Sequence, residues 1–176
     1  MIRPGNKILL LIIAVIAFTA CEEKLAPPKT DYNTQDTPDQ ESWNSTVSFS
    51  DSANITAILN AGYMGHYPGK GYIKIDSGAK VDFFKAGEIV STLTGKNGIV
   101  VDSTKDIEIY DSVVVVNKEG SILKTDKLFW NNREQKVYSD QFVHIKTPNE
   151  EIKGIGFESD QNLTNYKIYK VTGTFD

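Results

Sequence analysis

The sequence predicts an all-β domain, an antiparallel meander of ten or more short strands folded into a sandwich, roll or open groove. Three observations predict it. From Val47 onward, apolar and polar residues alternate with a period of two, interrupted every 7 to 12 residues by Gly, Asn or Asp. No stretch of 12 or more residues carries a capped 3.6-residue period. Val, Ile, Thr and Tyr, which fit a pleated and half-buried surface, recur throughout.

Taken in order, residues 55–62 (ITAILNAG) begin as a strand or as one short helical turn, and residues 72–75 (YIKI) lead into 79–84 (AKVDFF). Residues 87–94 (GEIVSTLT) and 98–102 (GIVVD) follow, and 106–110 (DIEIY) alternate cleanly. Residues 112–117 (SVVVVN) hold four consecutive valines, the pattern of a strand buried on both faces. Residues 121–125 and 127–130 come next, and Asn131, Asn132, Arg133 and Glu134 are polar enough to turn a hairpin. Residues 136–139 pass through Asp140 and Gln141 to 142–146, and Thr147-Pro148-Asn149-Glu150 turns the chain again. Residues 151–158 and 166–173 complete the set. An apolar-x-Thr/Ser-Asp step recurs at 123–126, 137–140 and 157–160, a repeat that suits a stacked, solenoid-like sheet.

The first 20 residues read as an address. Arg3 and Lys7 form a short basic region, residues 8–18 are eleven apolar residues, and Thr19-Ala20 precede Cys21, the sole cysteine. That is a secretory signal ending where a lipoprotein signal peptidase would leave Cys21 as an acylated N-terminus. The apolar run is shorter than the roughly 20 residues that a membrane-spanning helix needs. Cleavage leaves 156 residues with 17 Lys+Arg against 23 Asp+Glu, formally −6. With no basic run beyond two residues, no nucleic-acid partner is expected. Residues 21–46, polar and punctuated by Pro27, Pro28 and Pro38, read as the lipidated N-terminus and a flexible tether. Residues 47–176 read as a single β-domain.

Nothing in the chain has the layout of an enzyme. His66 and His144 are the only histidines, and neither stands at a zinc-motif offset from another ligand. His144, between Val143 and Ile145, belongs on the polar face of its strand. No serine occupies a nucleophile elbow. Gly69-Lys70-Gly71 and 95–98 (GKNG) are hairpin signals without the length or context of a phosphate loop. No metal or cofactor is expected.

The ordered set Gly120, Leu123, Thr125, Leu128, Trp130, Val137, Ser139-Asp140, Val143, Ile145, Gly154, Gly156-Phe157, Ser159-Asp160, Ile168, Val171 and Gly173 resembles the LptC family, the periplasmic component C of the lipopolysaccharide export machine. Residues 87–93 and 57–61 resemble that family's earlier rungs. The resemblance implies a twisted stack of antiparallel strands forming an open boat-shaped or jellyroll-like groove with an apolar interior. It implies lipopolysaccharide as the cargo, inner-membrane ABC transporter permeases as its source and a periplasmic bridge protein of the same fold as its recipient, joined by terminal-strand pairing. No covalent chemistry is implied. Candidate groove-lining residues are Ile107, Ile109, Val113, Val115, Leu123, Leu128, Trp130, Val137, Val143 and Ile145. Gly154, Gly156, Ile168 and Val171 are candidates for partner contact or groove access, and the C-terminal strand from about Lys167 is the expected docking edge. The best-known members keep an N-terminal transmembrane helix where this chain carries Cys21, so a periplasmic domain held to the inner membrane by lipid is expected. The competing readings are the soluble bridge component of the same superfamily and a structural or adhesin-like β-rich lipoprotein, which would keep a filled core and act through outward loops.

Overall fold

The computed structural model describes residues 37–175, so the leader, Cys21 and most of the segment read as tether lie outside the described residues. Ten antiparallel strands form one sheet: β1 (Gln40–Asp51), β2 (Asn54–Tyr67), β3 (Tyr72–Lys85), β4 (Glu88–Gly95), β5 (Asn97–Val101), β6 (Ile107–Asn117), β7 (Ile122–Asn131), β8 (Lys136–Lys146), β9 (Glu151–Asp160) and β10 (Tyr166–Phe175). Their order is β1-β2-β3-β4-β6-β7-β8-β9-β10, with β5 between β3 and β6. Every connection is therefore a short link between sheet neighbours except β4 to β5, which follow one another between β3 and β6. At Ser52-Ala53 and Ala86-Gly87 both central residues have positive φ, as two-residue turns matched to strand twist require. The sheet does not close into a barrel. Among the described residues β1 pairs only with β2 and β10 only with β9, leaving two edges on an open, groove-like arrangement.

Nearly every long strand loses register near its middle, and these breaks line up across the sheet. β1 and β2 leave Asn44 and Gly62 unpaired while keeping register, their own shift falling between Phe49 and Ser50; β2 and β3 slip a step between Ala61 and Tyr63. The break continues through Ser77-Gly78, Lys96 and Asp111-Ser112, then past Asp126 and Asp140-Gln141 to Gly156. Asn44, Ser77, Gly78, Asp111, Ser112 and Gly156 all have positive φ. Asn and Asp tolerate that region better than most residues do. A bulge bends its strand and increases the local twist, so a row of bulges is a crease. The crease divides the sheet into two halves whose inner faces meet. The Trp130 ring on β7 packs against Phe49 of β1 at 5.6 Å and Phe83 of β3 at 5.4 Å, neither strand being its neighbour in the sheet.

The crease explains most differences from the sequence reading. Residues 72–75 and 79–84 form one strand rather than two, as do 107–110 with 113–117, 122–125 with 127–131, and 136–139 with 142–146. The polar residues between them bend strands instead of reversing them. The GKNG signal at 95–98 is not a hairpin: β4 and β5 run in the same direction along β3 and β6, offset at Lys96. The four valines are not buried on both faces. Val113 and Val115 are 1% exposed, Val114 is half-buried, and Val116 is 42% exposed. The ambiguous opening at 55–62 is strand throughout. The Thr/Ser-Asp repeat marks no solenoid rung: its first two copies sit on the crease and the third ends β9. β1 begins at Gln40, seven residues inside the span assigned to the tether, because Trp43 and its polar neighbours pair with β2 rather than burying apolar surface of their own.

Gly154 of β9 tests the packing between β9 and β10. A Cβ there would sit 2.4 Å from Ile168 Cγ2 and 2.5 Å from the Lys170 carbonyl oxygen. Gly154→Ala is expected to cost about 1–3 kcal/mol, while Gly69→Ala, with open space around it, changes stability by less than about 0.5 kcal/mol. Urea unfolding midpoints at unchanged slope measure both.

Candidate functional site: a dry interior and its mouth

One contiguous apolar core lines the inner face of both halves. All ten groove candidates are in it and none is more than 2% exposed. Ile107, Ile109, Leu128, Trp130 and Val137 come from the half holding β5; Val113, Val115, Leu123, Val143 and Ile145 come from the half holding β4. The sequence candidates lie on β6, β7 and β8, and the same core holds further residues on the other strands. These are Leu59, Val81, Phe83 and Leu93 on β2 to β4, with Phe49, Met64, Ile75 and Val100. Their alternation is visible in the sequence, but only the folded-over topology shows that Phe49 and Phe83 meet Trp130. Fully burying a side chain of this size contributes about 1.5–3 kcal/mol, so the two halves are held together chiefly by this surface.

Buried hydroxyls complete the crease. Register breaks leave backbone groups without ladder partners, and such groups must be satisfied in a dry interior. Thr125 Oγ1 donates to the Phe142 carbonyl oxygen at 2.8 Å and lies 3.2 Å from Ser139 Oγ. Ser139 Oγ donates to the Lys127 carbonyl oxygen at 2.7 Å and accepts from the Gln141 N–H at 3.1 Å. The Thr125 and Ser139 of the repeated step are thus the inward polar groups that bridge β7 and β8 where they bend.

Opposite the crease, the free margins of the two halves meet at a mouth. The β9–β10 loop from one half lies over the other. Gln161 Nε2 donates to the Phe84 carbonyl oxygen at 3.0 Å, Asn117 Nδ2 donates to the Asn162 carbonyl oxygen at 2.9 Å, and Ser91 Oγ donates to the Gln161 carbonyl oxygen. Leu163, with φ of 56°, tucks its side chain into the core at 4% exposure. Toward β1 the mouth is looser. A cleft of about 300 Å³ opens there, lined by Val47, Phe49, Met64, Ile73 and Val100, with Lys105 and Asn132 at the rim. That volume is at the lower end of small-ligand sites.

Of the remaining candidates, Gly154 receives Ile168 against its backbone, and Ile168 packs on the core. Gly156 has φ of 79° on the crease and Val171 is 56% exposed. Gly156 also lines a cleft of about 510 Å³ on the outer face, between Tyr138, Ile155 and Tyr169. That cleft lies beside the β10 edge, with the core residue Phe157 in its lining.

The polar outer face carries ion pairs, not a reactive cluster. His144 Nε2 meets Glu151 Oε1 at 2.7 Å, so His144 does lie on the outer side of β8. That bond holds the Glu151 carboxyl below its ordinary value. His66 lies between Asp39 and Asp102 at 3.0 and 3.2 Å. Among the described residues, no group of three or more His, Cys, Asp or Glu is placed to hold a metal ion.

Residues 8–176 match the family model described as lipopolysaccharide-assembly, LptC-related, and the chain belongs to that family. Proteins of the family are non-catalytic. No curated protein matches the chain.

The tie between the β10 edge and the sheet has a pH signature. Tyr166 packs against Phe157 at 6.3 Å and donates to Glu150 Oε1 at 2.6 Å. Burial first, and then this bond, push its phenol up to about 12. In the unfolded chain a tyrosine ionises near pH 10, so the folded form retains the proton longer. The stabilisation is present below about pH 10 and is lost as pH rises through about 12. Between those values the thermal midpoint of the wild type is expected to fall more steeply than that of Tyr166→Phe.

Proposed function

We propose that this LptC-related chain transfers lipopolysaccharide without covalent chemistry, taking it from an inner-membrane ABC transporter and passing it to a periplasmic bridge protein. One observation carries the reading: a single open sheet, folded on a crease, has an apolar inner face shared between two halves and two unpaired edges among the described residues. An amphiphile with several acyl chains needs a dry slot for the chains and an open side for its sugars. Ile107, Ile109, Val113, Val115, Leu123, Leu128, Trp130, Val137, Val143 and Ile145 would line that slot. Here they pack against the opposite half, and a chain enters as the margins part, beginning at the cleft beside Phe49.

The edges serve the hand-over. β10 has one sheet neighbour, and extending the sheet onto a partner's edge would make two interiors continuous. Gly154 and Ile168 set the β9–β10 spacing beneath that edge, while Gly156 and Val171 lie where a partner's strand or loop would reach. Acylation of Cys21 would hold the domain at the inner membrane. Two or three acyl chains suffice for firm anchoring, at roughly 0.8 kcal/mol per buried methylene.

A structural β-lipoprotein would share the filled interior, so capture of cargo separates the two. A photo-crosslinker at Val143 or Trp130 is expected to form an adduct with lipopolysaccharide in cells. A folded, correctly anchored protein that forms none would sink the carrier reading. Separately, Cys21→Ala is expected to abolish acyl labelling of the chain. Persistence of the label would show that the anchor lies elsewhere.

A further inference from the structure

The loop between β9 and β10 crosses the margin instead of turning clear of it. It leaves β9 after Asp160 and enters β10 at Tyr166, both in the half that holds β5. The groups that hold it down, Ser91 Oγ, the Phe84 carbonyl and Asn117 Nδ2, belong to β4, β3 and β6 in the other half. The loop's remaining bonds are internal and converge on Asp160. Its carbonyl accepts from the Leu163 N–H at 3.1 Å, and its carboxylate accepts from the Thr164 N–H and from Asn165 Nδ2, each at 3.0 Å. Releasing the bonds across the margin therefore leaves the loop its own shape, and it can lift as one piece.

Leu163 is the part of the loop that fills the interior. Among the described residues it is the one large apolar side chain at positive φ, a region that residues with a branched side chain enter at a cost. Its side chain is nonetheless 4% exposed and packed in the core. Beside it, Gln161 is 7% exposed, and its Oε1, like Asn162 Oδ1, has no hydrogen-bond partner among the described residues. Strain and unpaired groups of this kind persist only where surrounding contacts impose them, and they gather at parts that move.

We propose that the β9–β10 loop is a latch and Leu163 a removable plug: the loop lifts to admit a fatty-acyl chain, which takes the place in the core that Leu163 gives up. The occupant is aliphatic because the place is. Leu163 belongs to the same contiguous apolar cluster as Trp130, Val143 and Ile145. The cleft beside Phe49 is the loose end of the mouth and the loop is its fastened end. A chain that starts at the first settles along the interior only when the second is released. The latch rests on the carrier reading above and adds to it the step that controls loading. It also has a consequence that ordinary packing lacks. A latch competes with the ligand, so weakening it destabilises the empty protein and tightens binding, by raising the open fraction.

The chain has two tryptophans, so in a Trp43→Phe background Trp130 alone reports on the interior. Undecanoic acid brominated at its terminal carbon quenches that fluorescence on reaching the indole. It is titrated, below its micelle concentration, into the full chain in lipid nanodiscs. Leu163→Ala and Ser91→Ala are each expected to lower the urea midpoint and yet to bind the probe at least about 3-fold more tightly than the Trp43→Phe parent. Partition of the probe into the discs is common to all three proteins, and circular dichroism checks that each remains folded. A lowered midpoint with unchanged or weaker binding in either variant leaves the loop a structural role only and overturns the latch, not the carrier reading. Absence of quenching in all three also overturns the latch and, together with no lipopolysaccharide adduct in cells, overturns the carrier reading with it.

Discussion

The structure depends on a row of mid-strand breaks. An antiparallel meander of this length, if left flat, would expose one apolar face to water along its entire width. Bending the strands at aligned positions brings the two halves of that face together, so each becomes the other's cover. The cost falls on the backbone. Residues such as Asp111 and Ser112 take up left-handed conformations, and ladder bonds are missing where the register slips. Thr125 and Ser139 offset that cost on β7 and β8 by placing hydroxyls inside the fold. Substituting an apolar side chain there would dry the interior further and leave carbonyls unpaired, so the buried polar residues belong to the bend.

Much of this was legible in the sequence. Period-two alternation marks the strands, and positions such as Leu123, Leu128, Val143 and Ile145, read as groove lining, are buried in the apolar core. The meaning of the interruptions was not legible. Asp111-Ser112 and Asp140-Gln141 look like turns, because turns and bulges favour the same residues for the same conformational reason. Only the partner strand decides between them: where a neighbour continues past the interruption, the chain bends, and where it stops, the chain reverses. β1 was half-hidden for a related cause. Its first residues are polar on both sides, and they are strand because β2 offers a ladder, not because of their own pattern. The mouth was invisible for a third reason. Gln161 and Asn162 lie in a loop of ordinary composition, and their burial depends on the end of β3 and on Asn117, more than 40 residues away.

The two ends of the sheet differ in ways that matter for a protein working between membranes. The first edge carries the exposed Trp43, which rests edge-on against Tyr63. The last edge bears Tyr169 and Val171, both more than half exposed. Exposed apolar groups beside an unpaired edge invite unwanted strand addition, a hazard tolerated where a specific partner covers them. Lysines at 167 and 170 interrupt the last edge and limit pairing with arbitrary strands. The ion pairs on the outer face, such as Lys136 with Glu158, are exposed and contribute little stability. Holding the halves shut is left to the interior.

The strand order also governs how the molecule is made. Each strand pairs with the next, or the next but one, in sequence, so the ladders can form locally and early. The contacts that join the halves are different. Phe49 and Phe83 must wait for Trp130, and the margin waits longer, for Gln161. Until the residues up to Gln161 are in place, the folding protein is a sheet with its greasy side uncovered. Its vulnerability during biogenesis thus has a definite duration, set by the distance in sequence between a phenylalanine on the first strand and a glutamine just beyond the ninth.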